Sequence, residues 1–142
     1  MLHNVCMSLI VAQIMPNKLE ISGDIRLTKD LPGNIKKYSD YFSGCLKIII
    51  LSKNLTIAYA GTQLYAEGLI RMVNPDDNPR EILEMLREHT DSSSVGKIAK
   101  CYEFIVGSTN PEDRFLARVN SGKIDIESSR GQFWIGDKNA FE

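Results

Sequence analysis

The apolar residues of this sequence change their period twice along the chain. Near the front, one pair of β-rich runs flanks a "MPN" turn and a second pair flanks Lys53-Asn54; the runs read "SLIVAQI", "KLEIS", "LKIIILS" and "LTIAYAG". Short runs joined by a tight polar turn are typical of β-hairpins. The chain up to Gly61 therefore predicts two hairpins, connected by a polar and irregular segment over residues 25–44.

Helical spacing of apolar residues replaces this pattern after Gly61. One helix is predicted from Thr62, which is suited to an N-cap, to Val73, because Asn74-Pro75 then ends the run. A second helix is predicted after Asn78-Pro79. Its apolar stripe consists of Ile82, Leu83, Met85 and Leu86. Both helices are expected to pack on a core.

Strand-like runs return after the serine-rich segment "DSSSVGK". They read "YEFIVGS", "RFLARV", "KIDIES" and "QFWIG", with a turn at Asn120-Ser121-Gly122 between the second and the third. This order of strands, helices and strands predicts an α+β fold, in which two antiparallel sheets pack on each other beneath outer helices. We expect residues 1–142 to form one domain, and the closing "DKNAFE" to be the first turn of a further helix.

Composition and charge exclude several classes of protein. Seventeen basic and eighteen acidic residues give a net charge of -1, without the basic cluster that a nucleic-acid surface requires. The uncharged stretch from Asn4 to Asn17 is too short to span a bilayer. Cys6, Cys45 and Cys101 are far apart and form no Cys-x-x-Cys pair, which argues against a zinc site and against disulfides. We therefore expect a cytoplasmic protein with reduced thiols, no metal, and neither nucleic acid nor membrane as a partner.

The element order and particular residues resemble the proteasome-type branch of the N-terminal nucleophile (Ntn) hydrolases, which includes proteasome β subunits and their bacterial ATP-dependent peptidase relative. The stretch "SLIVAQIMPNKLEISGDIRLT" has the layout of that family's first strands, and "LKIIILSKNLTIAYAG" is similar to its lysine-bearing strand and the strand that follows. The matching places Ser8 at the nucleophile, Asp24 beside the catalytic lysine, and Gly61 at the oxyanion. Lys47 matches that lysine, and Lys37 in "GNIKKY" competes with it; the distance to "AYAG" favours Lys47.

The resemblance implies an αββα sandwich, C-terminally truncated here, and an N-terminal serine amidohydrolase or peptidase. The serine hydroxyl is a weak nucleophile and needs a base, which the free α-amine of an N-terminal residue supplies. Asp24 would hold Lys47 charged and oriented, and a Gly61 N–H donating to the oxyanion would contribute about 3 kcal/mol. No metal or organic cofactor is required. Partners implied are further copies of the chain in a ring or other homo-oligomer, a peptide or amide substrate, and an ATPase or another protein.

This chemistry requires that residues 1–7 be absent from the mature chain. They would be removed as a leader by autocatalytic cleavage, or they are a start-site artefact and translation begins at Met7. The rival interpretation is a non-catalytic assembly or interaction subunit of the same fold. It is favoured by Gly136-Asp137-Lys138, where the family carries Gly-Ser-Gly, and by a chain that stops at Glu142 while the family continues.

Individual residues also have purely structural interpretations. Ser8 would begin a strand, Asp24 would be a turn carboxylate, and Lys47 would be a solubilising charge on an edge strand. His89 would complement the negative pole of a helix. Five aromatic residues are expected in the core: Tyr59, Tyr65, Phe104, Phe133 and Trp134.

Overall fold

The computed structural model describes residues 9–23, 47–61, 63–91 and 102–136. The predicted connection over residues 25–44, the Thr62 cap and the closing "DKNAFE" turn lie outside these ranges. The described residues form eight strands and two helices: β1 Leu9–Met15, β2 Lys18–Gly23, β3 Ile48–Ser52, β4 Leu55–Gly61, α1 Gln63–Arg71, α2 Pro79–Thr90, β5 Tyr102–Ser108, β6 Phe115–Asn120, β7 Lys123–Glu127 and β8 Gly131–Gly136.

The strands form two antiparallel sheets, as the sequence predicts. The smaller sheet has the order β2-β1-β8, and the larger has the order β3-β4-β5-β6-β7. The three predicted hairpins β1–β2, β3–β4 and β6–β7 are confirmed. In the last of them Ser121 and Gly122 have φ values of 50° and 76°, and positive φ at both central residues is the pattern of a type I′ turn.

The sheets and helices pack in three layers. Between the two sheets lies one apolar cluster, made of Ile10, Ala12, Ile14, Ala58, Ala60, Ile105, Leu116, Phe133 and Ile135. A second cluster lies between the larger sheet and the helices, where β4 contributes Leu55, Ile57 and Tyr59. Because successive side chains of β4 alternate between these clusters, this strand is buried on both faces. The α+β sandwich is therefore confirmed, with α1 and α2 on the outer face of the larger sheet.

The two helices follow the predicted boundaries closely. α1 ends at Arg71, two residues before the predicted Val73, although the Val73 side chain is still buried. α2 begins after Asn78, whose side-chain Oδ1 accepts a hydrogen bond from the Arg80 N–H at 2.9 Å. This N-cap satisfies one of the backbone donors that the first helical turn leaves open.

The expected aromatic core is only partly correct. Tyr59, Phe104 and Phe133 are buried as predicted, whereas the side chain of Tyr65 is not described. The expectation for Trp134 is wrong, because 43% of this residue is exposed. Alternation along β8 explains the error: Phe133 and Ile135 face the larger sheet, so the residue between them faces away from it.

Candidate functional site

Three strand ends of the smaller sheet meet at one end of the sandwich. β1 starts where β2 finishes, because Ile10 lies opposite Gly23 in the ladder. β8 finishes on the other side of β1, with Gly136 opposite Leu9. Neighbouring strands lie about 4.8 Å apart, so these positions are adjacent across the sheet.

The larger sheet contributes three further strand ends at the same place. The Tyr59 N–H donates to the Lys47 carbonyl at 2.9 Å, which pairs the residue before β3 with the last part of β4. Gly61 at the end of β4 lies opposite Tyr102 at the start of β5. The two sheets touch here, because a Cβ placed on Gly23 would be 3.5 Å from Ile48 Cδ1.

We refer to this region as the site end. It contains Leu9, Gly23, Lys47, Gly61, Glu103 and Gly136.

Lys47 is buried at the site end, with 3% of its surface exposed. The interpretation of Lys47 as a solubilising edge charge is therefore wrong. Burying an ammonium group is unfavourable unless other groups stabilise the charge, so a lysine in this position needs such groups around it. This environment is compatible with the role of catalytic lysine, which stays a prediction.

Gly61 has a φ of 115° at the point where β4 ends. A residue with a Cβ would be strained in this conformation, so the position requires glycine. The turn of the backbone redirects the chain from β4 toward α1. Its use for an oxyanion likewise stays a prediction.

Ser8, Asp24 and Lys37 lie outside the described residues. Ser8 is nevertheless bonded to Leu9, and Asp24 is bonded to Gly23. Lys37 has no such neighbour among the described residues.

Glu103 also lies at the site end, although no sequence motif predicts a role for it. Its Oε2 accepts a hydrogen bond from the backbone N–H of Gly136 at 3.0 Å. Glu103 and Ile105 are two residues apart on β5, so their side chains share one face of the strand. Ile105 belongs to the cluster between the sheets, so the Glu103 side chain also points toward the smaller sheet. The signal in the sequence was an acidic residue at an inward position of the apolar run "YEFIVGS".

Other kinds of site are not found within the described part of the chain. None of its residues form a group of three or more metal-capable side chains. A groove of about 520 Å³ lies at the end opposite to the site end, between the α1–α2 connection and the β5–β6 loop. Its Asp113 carboxylate is already bonded to Arg80 at 2.7 and 2.9 Å. Neither described helix has the length and apolar character needed to cross a membrane.

Comparison with known proteins gives a match at the level of structure. No protein-family model matches the chain, and no curated protein matches it. Among solved structures, it is similar to the crystal structure of eukaryotic HslV from Trypanosoma brucei, with a TM-score of 0.63 and 16% sequence identity over 90% of this chain and 71% of that chain. HslV is a proteasome-type Ntn hydrolase. The chain therefore has the fold of this class, which confirms the resemblance as far as architecture is concerned.

Proposed function

We propose that this protein is a cytoplasmic N-terminal serine amidohydrolase or peptidase of proteasome-like type. Ser8 is the nucleophile and its α-amine is the base, with Lys47, Asp24 and Gly61 as supporting groups. The observation that carries the proposal is the burial of Lys47, which is 3% exposed, at the end of the sandwich where β1 begins and β2 ends. In the sequence, Ser8 directly precedes β1 and Asp24 directly follows β2. An ionisable side chain held away from water is a feature of many catalytic sites, and Lys47 is such a group.

The proposed reaction is acyl transfer through a serine ester. The α-amine takes the proton from the Ser8 hydroxyl as Oγ attacks the carbonyl carbon of the substrate amide. The Gly61 backbone and the Lys47 cation stabilise the negative charge of the tetrahedral intermediate. The C–N bond then breaks, the leaving amine receives the proton, and water hydrolyses the ester to free the enzyme.

The first test is the mass of the intact protein, expressed from its native gene context, beside a Ser8→Ala variant. We expect a wild-type mass that corresponds to a chain starting at Ser8, because an acylated Ser8 nitrogen is an amide and cannot act as a base. A β-lactone probe should then acylate the wild type once, at Ser8, and leave Ser8→Ala unmodified. Retention of Met1 or any other residue before Ser8 would contradict the proposal.

We also propose that the protein works as a homo-oligomer. The similarity of the fold to that of HslV supports this proposal. Light scattering during size-exclusion chromatography should give a mass that is a multiple of the mature chain, which is lighter than the 16.0 kDa of the full sequence because residues 1–7 are absent. A monomer at all concentrations would contradict the expectation. We expect a peptide or amide substrate, and an ATPase or another protein as a partner.

The second candidate function is a non-catalytic assembly or interaction subunit of the same fold. It is supported by Gly136-Asp137-Lys138, which lacks the serine that the family carries there. Under this hypothesis the residues before Ser8 remain attached and the β-lactone does not react, so the mass measurement discriminates between the two functions.

A further inference from the structure

The hydrogen bond from Gly136 to Glu103 joins the two sheets at the site end. The acceptor belongs to β5 of the larger sheet and the donor to the last residue of β8 in the smaller one. An N–H in a regular strand lies in the plane of its own sheet, where it pairs with a neighbouring strand. The bond to a side chain of the opposite sheet therefore shows that the chain leaves this plane at Gly136, where φ is 107°.

This bond lies next to the start of β1. Gly136 is opposite Leu9 in the β1–β8 ladder, and Leu9 is bonded to Ser8. A carboxylate that accepts a backbone N–H makes a stronger bond than a neutral acceptor does. A bond that holds the end of β8 against β5 therefore also restrains the start of β1, which pairs with the end of β8.

We infer that Glu103 is a positioning residue of the proposed site, acting through the Gly136 N–H to hold the start of β1, and with it Ser8, in place. The inference rests on the proposed function, because it concerns the geometry of the Ser8 nucleophile. Glu103 does not exchange a proton with the substrate in this scheme. Its contribution is the bond that it accepts from the backbone.

The test compares Glu103→Ala with Glu103→Gln in the full chain, using the rate of Ser8 acylation by a β-lactone. Glu103→Ala removes the acceptor, and we expect the rate to fall by about tenfold to a hundredfold, since small displacements of a reacting group have effects of this size. Glu103→Gln keeps an oxygen that accepts the same N–H, so we expect a rate within about threefold of the wild type. The pH midpoint of acylation should be the same in Glu103→Gln and the wild type.

Arg114→Ala is the matched control, because it also removes hydrogen bonds that join the two sheets. The Arg114 guanidinium precedes β6 of the larger sheet and donates to the carbonyls of Met15 and Lys18 in the smaller one, at the end opposite to the site. This variant should unfold at a lower denaturant concentration but acylate at the wild-type rate. Amide hydrogen exchange gives a readout independent of activity: Glu103→Ala should accelerate exchange at Gly136 and Leu9, and Arg114→Ala should not.

Three results would overturn the inference. The first is a Glu103→Ala variant that acylates, or exchanges its Gly136 amide, at the wild-type rate. The second is an Arg114→Ala variant that loses acylation to the same extent, which would assign the effect to general stability. The third is a shifted pH midpoint in Glu103→Gln, which would mean that the charge of Glu103 acts on Ser8 directly. A wild-type protein that never reacts would instead refute the proposed function, and this outcome is distinct from all three.

Discussion

Lys47 is the residue whose environment differs most from that of an ordinary surface lysine. In the proposed site its ammonium group has an electrostatic role. Because the residue is buried, it does not act as a surface charge that keeps the protein soluble. The sequence placed Lys47 at the head of an apolar strand, which is equally compatible with an exposed edge and with a buried end. Only the packing of the folded chain around Lys47 decides between these environments.

Replacing Lys47 by methionine tests its role with little change in packing volume. We expect Lys47→Met to reduce the rate of Ser8 acylation by about a hundredfold or more, because it removes a charge that acts on proton transfer and on the oxyanion. The matched control is Lys53→Met, since Lys53 is exposed in the β3–β4 turn. Equal rates for Lys47→Met and the wild type would show that the lysine is purely structural.

Gly61 and Gly68 test two different effects of adding a Cβ to a glycine: strain of the backbone at Gly61, and loss of conformational freedom in the unfolded chain at Gly68. Gly61→Ala should lower the free energy of unfolding by about 1–3 kcal/mol, because its φ of 115° is unfavourable for a residue with a Cβ. Gly68 in α1 is exposed, and a Cβ there would meet no atom within 4 Å. Gly68→Ala should therefore raise the free energy of unfolding, by about 0.5–1 kcal/mol. Urea titration measures both values, and a shift of the same sign in both variants would contradict the argument.

At the scale of the elements, the α2 N-terminus is held to the loop before β6 by a bidentate ion pair. The Arg80 guanidinium donates to both Asp113 oxygens and also lies 4.5 Å from the Phe115 ring centroid. The hydrogen bond from Arg80, followed by its charge, lowers the pKa of Asp113. The carboxylate form is therefore favoured in the folded state, so this pair stabilises the protein above the usual pKa of an aspartate.

The pH dependence of this pair follows from that sign. We expect Arg80→Met to lose about 0.2–1 kcal/mol of pair energy near neutral pH, the range measured for exposed pairs. The difference from the wild type should shrink as pH falls below about 4, because Asp113 then takes up a proton in the unfolded state and, at still lower pH, in the folded wild type, where its pKa is lowered. Urea unfolding between pH 3 and 7 gives this difference, and the ring contact with Phe115 contributes only a constant offset. A difference that grows toward acid pH would contradict the assignment.

The elements themselves were largely predictable, whereas the site was not. Turn residues such as Lys53-Asn54 and the cap Asn78 mark boundaries locally, which is why the hairpins and α2 follow the sequence pattern. Trp134 was misplaced because a run of five residues does not reveal which face a short strand buries. The Glu103–Gly136 bond depends on two strands from different sheets, and no local pattern encodes that contact.

At the scale of the whole molecule, the apolar layer between the sheets holds the sandwich together. Ile14 in β1 is fully buried in this layer, and its neighbour Gln13 is exposed on the opposite face. Ile14→Ala should reduce the free energy of unfolding by about 2–5 kcal/mol, since it leaves a cavity between the two sheets that the surrounding side chains fill only in part. Gln13→Ala should change it by less than about 0.5 kcal/mol. Comparable losses in the two variants would contradict the described register.

Because neighbouring strands are antiparallel, the tight turns of the hairpins β1–β2 and β3–β4 lie together at the end opposite to the site end. The β1–β2 turn at Pro16-Asn17 and the β3–β4 turn at Lys53-Asn54 both lie opposite the end where Lys47 is buried. Pro16 and Asn17 are exposed. A fluorophore or an affinity tag attached at Asn17 would thus be separated from the start of β1 by the length of that strand. This turn is therefore a suitable attachment point for following assembly without disturbing the proposed site.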